Sequence, residues 1–285
     1  MQRRRLVEQP RSLLAVWARR LALFALPVVL LAIIMARAGS FEALPILVTL
    51  GAGFTLAVIA ILLAIVALGA IWIDGRAGTG SALLAIAVSI LLLAYPAYFG
   101  VKGYRLPPIN DITTDPNDPP RLEAAQRLRT RSANATAYGG QAVFQRQSAA
   151  YPDIVPLSVD VNARAAYDAA YAVITKRKWT IVDARPPQAD RREGIIEAVV
   201  RTPIMGFRDD VVIRIRPAGT GARIDARSAS RYGFHDFGAN ATRLMALLDD
   251  IDDAATPTET PEAPSKKQPQ KGAKPPAKPA QPARR

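Results

Sequence analysis

Three long apolar runs occupy the first third of the chain. Leu21–Ala36 has no charged residue over 16 positions, Leu44–Ile73 none over 30 and Ala77–Val101 none over 25. A bilayer core of about 30 Å takes about 20 helical residues, so the second and third runs span outright. The first spans if Arg19, Arg20 and Arg37 at its ends lay their methylenes along lipid and keep their heads in the interface. More membrane helix follows it at once, which favours a retained helix over a cleaved signal peptide. The runs contain no ionisable residue, and intramembrane charge is what marks an ion path, so a channel or pump is disfavoured. Gly51, Gly53 and Gly69 read as helix-packing positions. Residues 1–101 therefore form a basic flank and a three-helix transmembrane region.

Beyond Val101 the pattern changes. Residues 102–150 begin with VKGYRLPPINDITTDPNDPP, whose Pro, Asn and Asp predict an extended linker with an acidic turn motif. Arg121–Arg131 suits a short helix, and 132–150 reads as a surface loop. In 151–252 the periodicities sharpen. Leu157, Val159 and Val161 alternate as a first strand, and Ala166, Ala169, Ala170, Val173 and Ile174 recur at helical spacing within 163–178. Strands are predicted at Trp179–Ala184, Gly194–Thr202, Asp209–Arg216 and Arg223–Ser230, the last three as an antiparallel meander. Ala239–Ile251 closes the domain as an amphipathic helix. The order β-α-β-β-β-β-α predicts a soluble two-layer α+β domain with a mostly antiparallel sheet. Alternation puts Val211, Ile213, Ile215, Ile224 and Ala226 on one sheet face. Asp210, Arg214, Arg216, Asp225 and Arg227 go to the other. Residues 253–285, rich in Pro, Ala and Lys, are expected to be a disordered tail.

Charge refines this division. The formal net charge is +13. Residues 1–20 hold six Arg and one Glu, and residues 256–285 hold seven Lys or Arg and two Glu, so each end carries +5 and the middle +3. Nucleic-acid binding needs basic residues clustered on a folded face, so that class is disfavoured. Contact of the termini with anionic lipid fits better. The arginine-rich N-terminal flank, set against single arginines in the later loops, predicts a cytoplasmic N-terminus. Three spans then put the C-terminal domain outside. The absence of cysteine excludes disulfides, thiolate metal sites and cysteine nucleophiles, and a lone histidine excludes multi-histidine metal sites.

Candidate chemistry is sparse. Asp111, Asp115 and Asp118 are oxygen donors within eight residues, as calcium sites use, but they lack EF-hand spacing and also suit ordinary turns. Asp209 and Asp210 point to opposite sheet faces and cannot share an acid–base site. His235 beside Asp236 suggests a triad only loosely, since adjacent residues seldom face one another. Asp236 is placed near a helix start, with Asn240 as its cap. Arg214, Arg216, Arg227 and Arg231 are the candidate ligand-binding residues for a phosphate or lipid headgroup on an open sheet face. Cross-strand pairing with Glu197, Asp210 and Asp225 is the alternative, and exposed pairs contribute only about 0–1 kcal/mol each.

INDITTDPNDPP at 109–120, YPDIVPL at 151–157, FRDDVVIRIRPAGTGARIDARSASR at 207–231 and GFHDFGANATRLMALL at 233–248 together resemble the bacterial domain-of-unknown-function family 1499 over residues 105–252. The resemblance implies a membrane-anchored envelope protein without an assigned activity, and it carries over no catalytic residue and no cofactor. The leading expectation is a non-enzymatic, multi-pass protein of the bacterial inner membrane whose periplasmic domain binds a protein partner or ligand. A module for lipid or anionic headgroups and a metal-dependent hydrolase are the alternatives.

Overall fold

The computed structural model describes residues 9–39, 41–188 and 193–256. Of the tail expected at 253–285, residues 253–255 are helical, and the part beyond Thr256, like the first eight residues, lies outside the described residues. Three helices, α1 (Leu13–Ala38), α2 (Ala43–Asp74) and α3 (Thr79–Arg105), are each long and apolar enough to cross a membrane. Helix α1 starts inside the charged flank, where Ser12 caps it by accepting from the Ala15 amide. The first span is thus 26 residues long, longer than its uncharged run. Its start is tied to the α2–α3 connection, with the Ser12 amide donating to Ala77 O at 2.9 Å and the Ala77 amide to Pro10 O at 3.1 Å.

The helices meet through small side chains. Ala15, Ala18 and Ala22 of α1 pack with Ala60, Ala64 and Ala67 of α2 and Ala82 and Ala85 of α3, all buried. Leu30, Leu62, Ile65 and Leu91 point outward. Lipid tails offer no hydrophobic drive for helix association, so close backbone approach through small residues supplies the packing. Of the three glycines expected at contacts, only Gly53 meets a neighbour, Val29, while Gly51 and Gly69 face open space.

The soluble part is α+β with a six-stranded antiparallel sheet. Its elements are β1 (Asp111–Thr113), α4 (Glu123–Leu128), α5 (Gln141–Ala150), β2 (Leu157–Val159), α6 (Ala163–Lys176), β3 (Thr180–Arg185), β4 (Gly194–Arg201), β5 (Arg208–Ala218), β6 (Gly221–Ser230) and α7 (Ala239–Ala255). The strand order is β1-β6-β5-β4-β3, with β2 sharing the outer edge of β6 with β1. Thr114 fills the gap between those two short strands, its amide donating to Ala226 O and its hydroxyl accepting from the Ala226 amide, both at 2.9 Å. Helices α6 and α7 cover one face, where Ile174, Ile213, Ile215, Ile224, Leu244, Leu247 and Ile251 form the core. This is the face that strand alternation selects.

Two regions differ from the sequence expectation. The segment 102–150 is built into the fold instead of linking to it. Its first residues extend α3, Asp111–Thr113 forms β1, and 141–150 is helical. Gln147 of α5 pairs with the free edge of β1, donating to Thr113 O at 2.7 Å and accepting from the Thr113 amide at 3.1 Å. The second difference is the far sheet face. It is not open, because residues 114–140, called the strap below, cross it and bring Leu122 and Ala125 against Ile195, Val212 and Ala229.

The domain sits directly on the helix ends opposite Ser12. Met205, in the β4–β5 turn, packs with Ala36 and Ile46. Arg37 donates to Pro203 O at 2.9 Å, and Arg201 donates to Arg37 O at 3.0 Å. Phe237 meets Phe99 of α3 edge-on at 5.3 Å.

The alanine seam makes a direct prediction. Ala64→Leu inserts volume where Ala64 has no exposed surface and should cost about 1–3 kcal/mol. Leu62→Ala on the lipid side should change stability far less. Thermal unfolding of the detergent-extracted protein distinguishes the two.

Candidate functional site

The far sheet face carries an ionic layer between strap and sheet. Alternation along β5 and β6 aims Asp210, Arg214 and Arg216, and Asp225, Arg227 and Arg231, at the strap. The strap returns Asp115, Asp118 and Arg129, and β1 adds Asp111. Arg227 makes a two-pronged pair with Asp111 at 2.9 and 2.7 Å and also donates to Pro120 O and Thr136 O. Arg214 bridges Asp118 at 2.9 Å and Asp225 at 3.1 Å, and donates to Asp118 O at 2.7 Å. Arg216 donates to Asp225 at 2.7 Å and Asp118 at 3.2 Å, and Arg223 reaches Asp115 and Asp225, each at 2.9 Å. Asp210 accepts from Arg231 at 2.7 Å and Arg129 at 2.8 Å.

Glu197 completes the layer without an arginine. The N-cap position of helix α4 is Leu122, whose side chain cannot cap. The buried Glu197 carboxylate accepts instead from the amides of Glu123, Ala124 and Ala125 at 2.9–3.0 Å. Unpaired N–H groups at a helix start bind anions readily, so a sheet residue caps a strap helix.

All four arginines singled out in the sequence thus lie together, and each is engaged by carboxylates of the chain itself. Asp111, Asp115 and Asp118 each face arginine. Among the described residues no group of three or more His, Cys, Asp or Glu side chains is placed to hold a metal ion. The pairs differ from the exposed type expected, because Arg214, Arg227 and Arg231 are 6%, 2% and 3% exposed. Their strap partners sit roughly 90–115 residues away in sequence, beyond the reach of pattern reading. Tyr138 covers Arg227, the guanidinium lying 5.6 Å from its ring centre. Burial, with Asp111 nearby and Arg227 opposing, pushes the Tyr138 phenol up to about 12.

The remaining candidates are structural in placement. Asp209 pairs with Arg243 at 2.6 Å on the helical side of the sheet, opposite Asp210. His235 stacks on Phe237 at 4.5 Å and accepts the Phe237 amide at Nδ1. Asp236, not Asn240, caps α7, accepting from the amides of Gly238 and Asn240 at 2.8 and 2.9 Å. Asn240 is buried instead, joining Ser228, Ser230 and Asn110 O. A cleft of about 200 Å³ opens beside the strap, lined by Asn110, Asn134, Gly139, Val143 and Ser230 among others.

A family model described as a protein of unknown function (DUF1499) matches residues 111–251. It begins at the first residue of β1 and contains every member of the ionic layer. This domain belongs to the DUF1499 family. The DUF1499 domain therefore includes the strap, and the three apolar helices precede it. A search of curated proteins finds no match to this chain.

Arg227→Ala leaves Asp111 buried and unpaired and should cost about 3–5 kcal/mol in urea unfolding. Arg223→Ala, at a side chain 39% exposed, should cost about 0–1 kcal/mol. Arg227→Met with Asp111→Leu should recover much of the loss. At Asp236, burial raises the carboxyl above its ordinary value, against the two amides that lower it. The native state then holds a proton that the unfolded chain has released, so this group's contribution falls as pH rises from 3.8 through the raised value. Asp236→Asn keeps an acceptor for the cap and should remove that part of the pH slope.

Proposed function

We propose that this chain is a non-enzymatic, multi-pass protein of the bacterial inner membrane, with a cytoplasmic N-terminus and a periplasmic DUF1499 domain that binds a protein partner or ligand. The ionic layer carries the reading. The acidic and basic side chains that would serve as reactive groups hold strap and sheet together, which favours a binding scaffold over a catalyst. Contacts of the domain with all three helix ends support a binding surface held at fixed height above the bilayer. The cleft beside the strap is lined by the side-chain oxygens of Asn110 and Asn134, whose amide nitrogens already donate to Gly233 O and Ser230 O, and by the Ser230 hydroxyl, a set suited to a hydrogen-bond donor on the ligand or partner.

Sidedness rests on the arginine flank. Alkaline phosphatase fused after Ile251 should be active, since it matures only in an oxidising compartment, and a well-expressed inactive fusion contradicts the orientation. Binding is tested by native mass spectrometry after gentle detergent extraction. The wild type should carry a bound species or a protein partner, and Ala137→Trp, which fills the cleft, should lose it. A wild type with nothing bound contradicts the binding assignment.

A further inference from the structure

Three arginines gather where the domain meets the helices. Arg201 and Arg208 lie directly opposite one another on β4 and β5. Like charges in that position destabilise a strand pair. Arg37 closes the last turn of α1 and reaches the carbonyls of Pro203 and Ile204, while Arg201 donates to Arg37 O. These are neutral acceptors. Among the described residues no carboxylate forms a salt bridge with Arg37, Arg201 or Arg208, although the far sheet face matches its buried arginines with aspartates. Glu42, in the connection between α1 and α2, pairs with none of them. The Arg208 guanidinium lies beside Gly39, at a niche also bordered by Phe41, Phe207 and Tyr232.

Two apolar tips flank this cluster at the level where the helices end. Ile204 is 45% exposed, next to Met205, which packs on Ala36 and Ile46. Phe234 is 78% exposed, three residues before Phe237, which meets Phe99. Phe41, Leu44, Val101 and Tyr104 at the same helix ends are exposed as well.

We propose that Arg37, Arg201 and Arg208 hold the phosphate of an anionic phospholipid in the membrane that the helices span, with Ile204 and Phe234 inserted into the same leaflet. Guanidinium groups bind phosphate oxygens through paired, charge-assisted hydrogen bonds. Uncompensated cations beside exposed apolar side chains match a lipid, which supplies charge and hydrocarbon together, better than free phosphate, which supplies charge alone. The assignment is independent of what occupies the cleft.

The test uses the full-length protein in nanodiscs of equimolar phosphatidylglycerol and phosphatidylcholine, with native mass spectrometry of the lipid retained on release. The wild type should retain phosphatidylglycerol in preference, and Arg201→Gln with Arg208→Gln should reduce that preference about tenfold or more. Equal retention of both lipids by the wild type, or an undiminished preference in a folded double variant, overturns the proposal. The cysteine-free chain allows a second measurement that leaves the arginines intact. A spin label at Phe234→Cys should be shielded from an aqueous nickel chelate and accessible to oxygen, unlike a label at Met245→Cys on α7. Equal aqueous access at both positions also overturns it.

Discussion

The arrangement of the soluble domain depends on charge pairing across the far face of its sheet. A β-sheet with helices on one side ordinarily leaves the other face to water, and long arginines there would remain solvated and mobile. Here residues 114–140 return over that face with aspartates for the arginines and a helix start for Glu197. Burying such groups is costly unless each finds its partner and its remaining hydrogen bonds, and the layer meets that condition with bidentate pairs, backbone carbonyls and amides. Strap and sheet thereby depend on one another. Removing either side leaves buried charge behind.

The same dependence extends to the membrane. Only Leu106–Asn110 separates α3 from β1, and the domain contacts the ends of all three helices. The β4–β5 turn rests on the adjoining ends of α1 and α2 through Met205, Ala36 and Ile46, and the loop before α7 rests on α3 through Phe237 and Phe99. A domain joined in this way holds Arg37, Arg201 and Arg208 at the helix ends, while Arg214, Arg227 and Arg231 are paired and buried within the fold.

Much of the fold was legible in the sequence because its periodicities are local. The meander from Gly194 to Ser230, helix α6 and helix α7 follow from alternation or helical spacing, and their inward faces were read correctly. β1 was not legible, because three residues within a Pro- and Asp-rich run give no alternation. Its register comes from β6, more than a hundred residues later. Helix α5 has few apolar positions, and its buried contact is Gln147, a polar side chain acting as a strand partner. The four arginines were found as a group, since β5 and β6 alone place them on one face. Asp210 and Asp225, the cross-strand alternatives, do pair with Arg231, Arg214 and Arg216, but the strap partners and the burial are not legible, because the strap has no pattern that marks it as a cover. The alanines of the membrane helices were similarly hidden, since hydropathy reports a span without telling its packed stripe from its lipid-facing one.

Strap and sheet form one cooperative unit through the ionic layer. Native-state hydrogen exchange at the amides of Glu123, Ala124 and Ala125 tests it most directly, because these donors end on Glu197 in the sheet. They should exchange with the same opening free energy as the β5 and β6 amides and lose protection together with them. Rapid exchange of those three amides while β5 and β6 remain protected would show that the strap opens independently, and would contradict it.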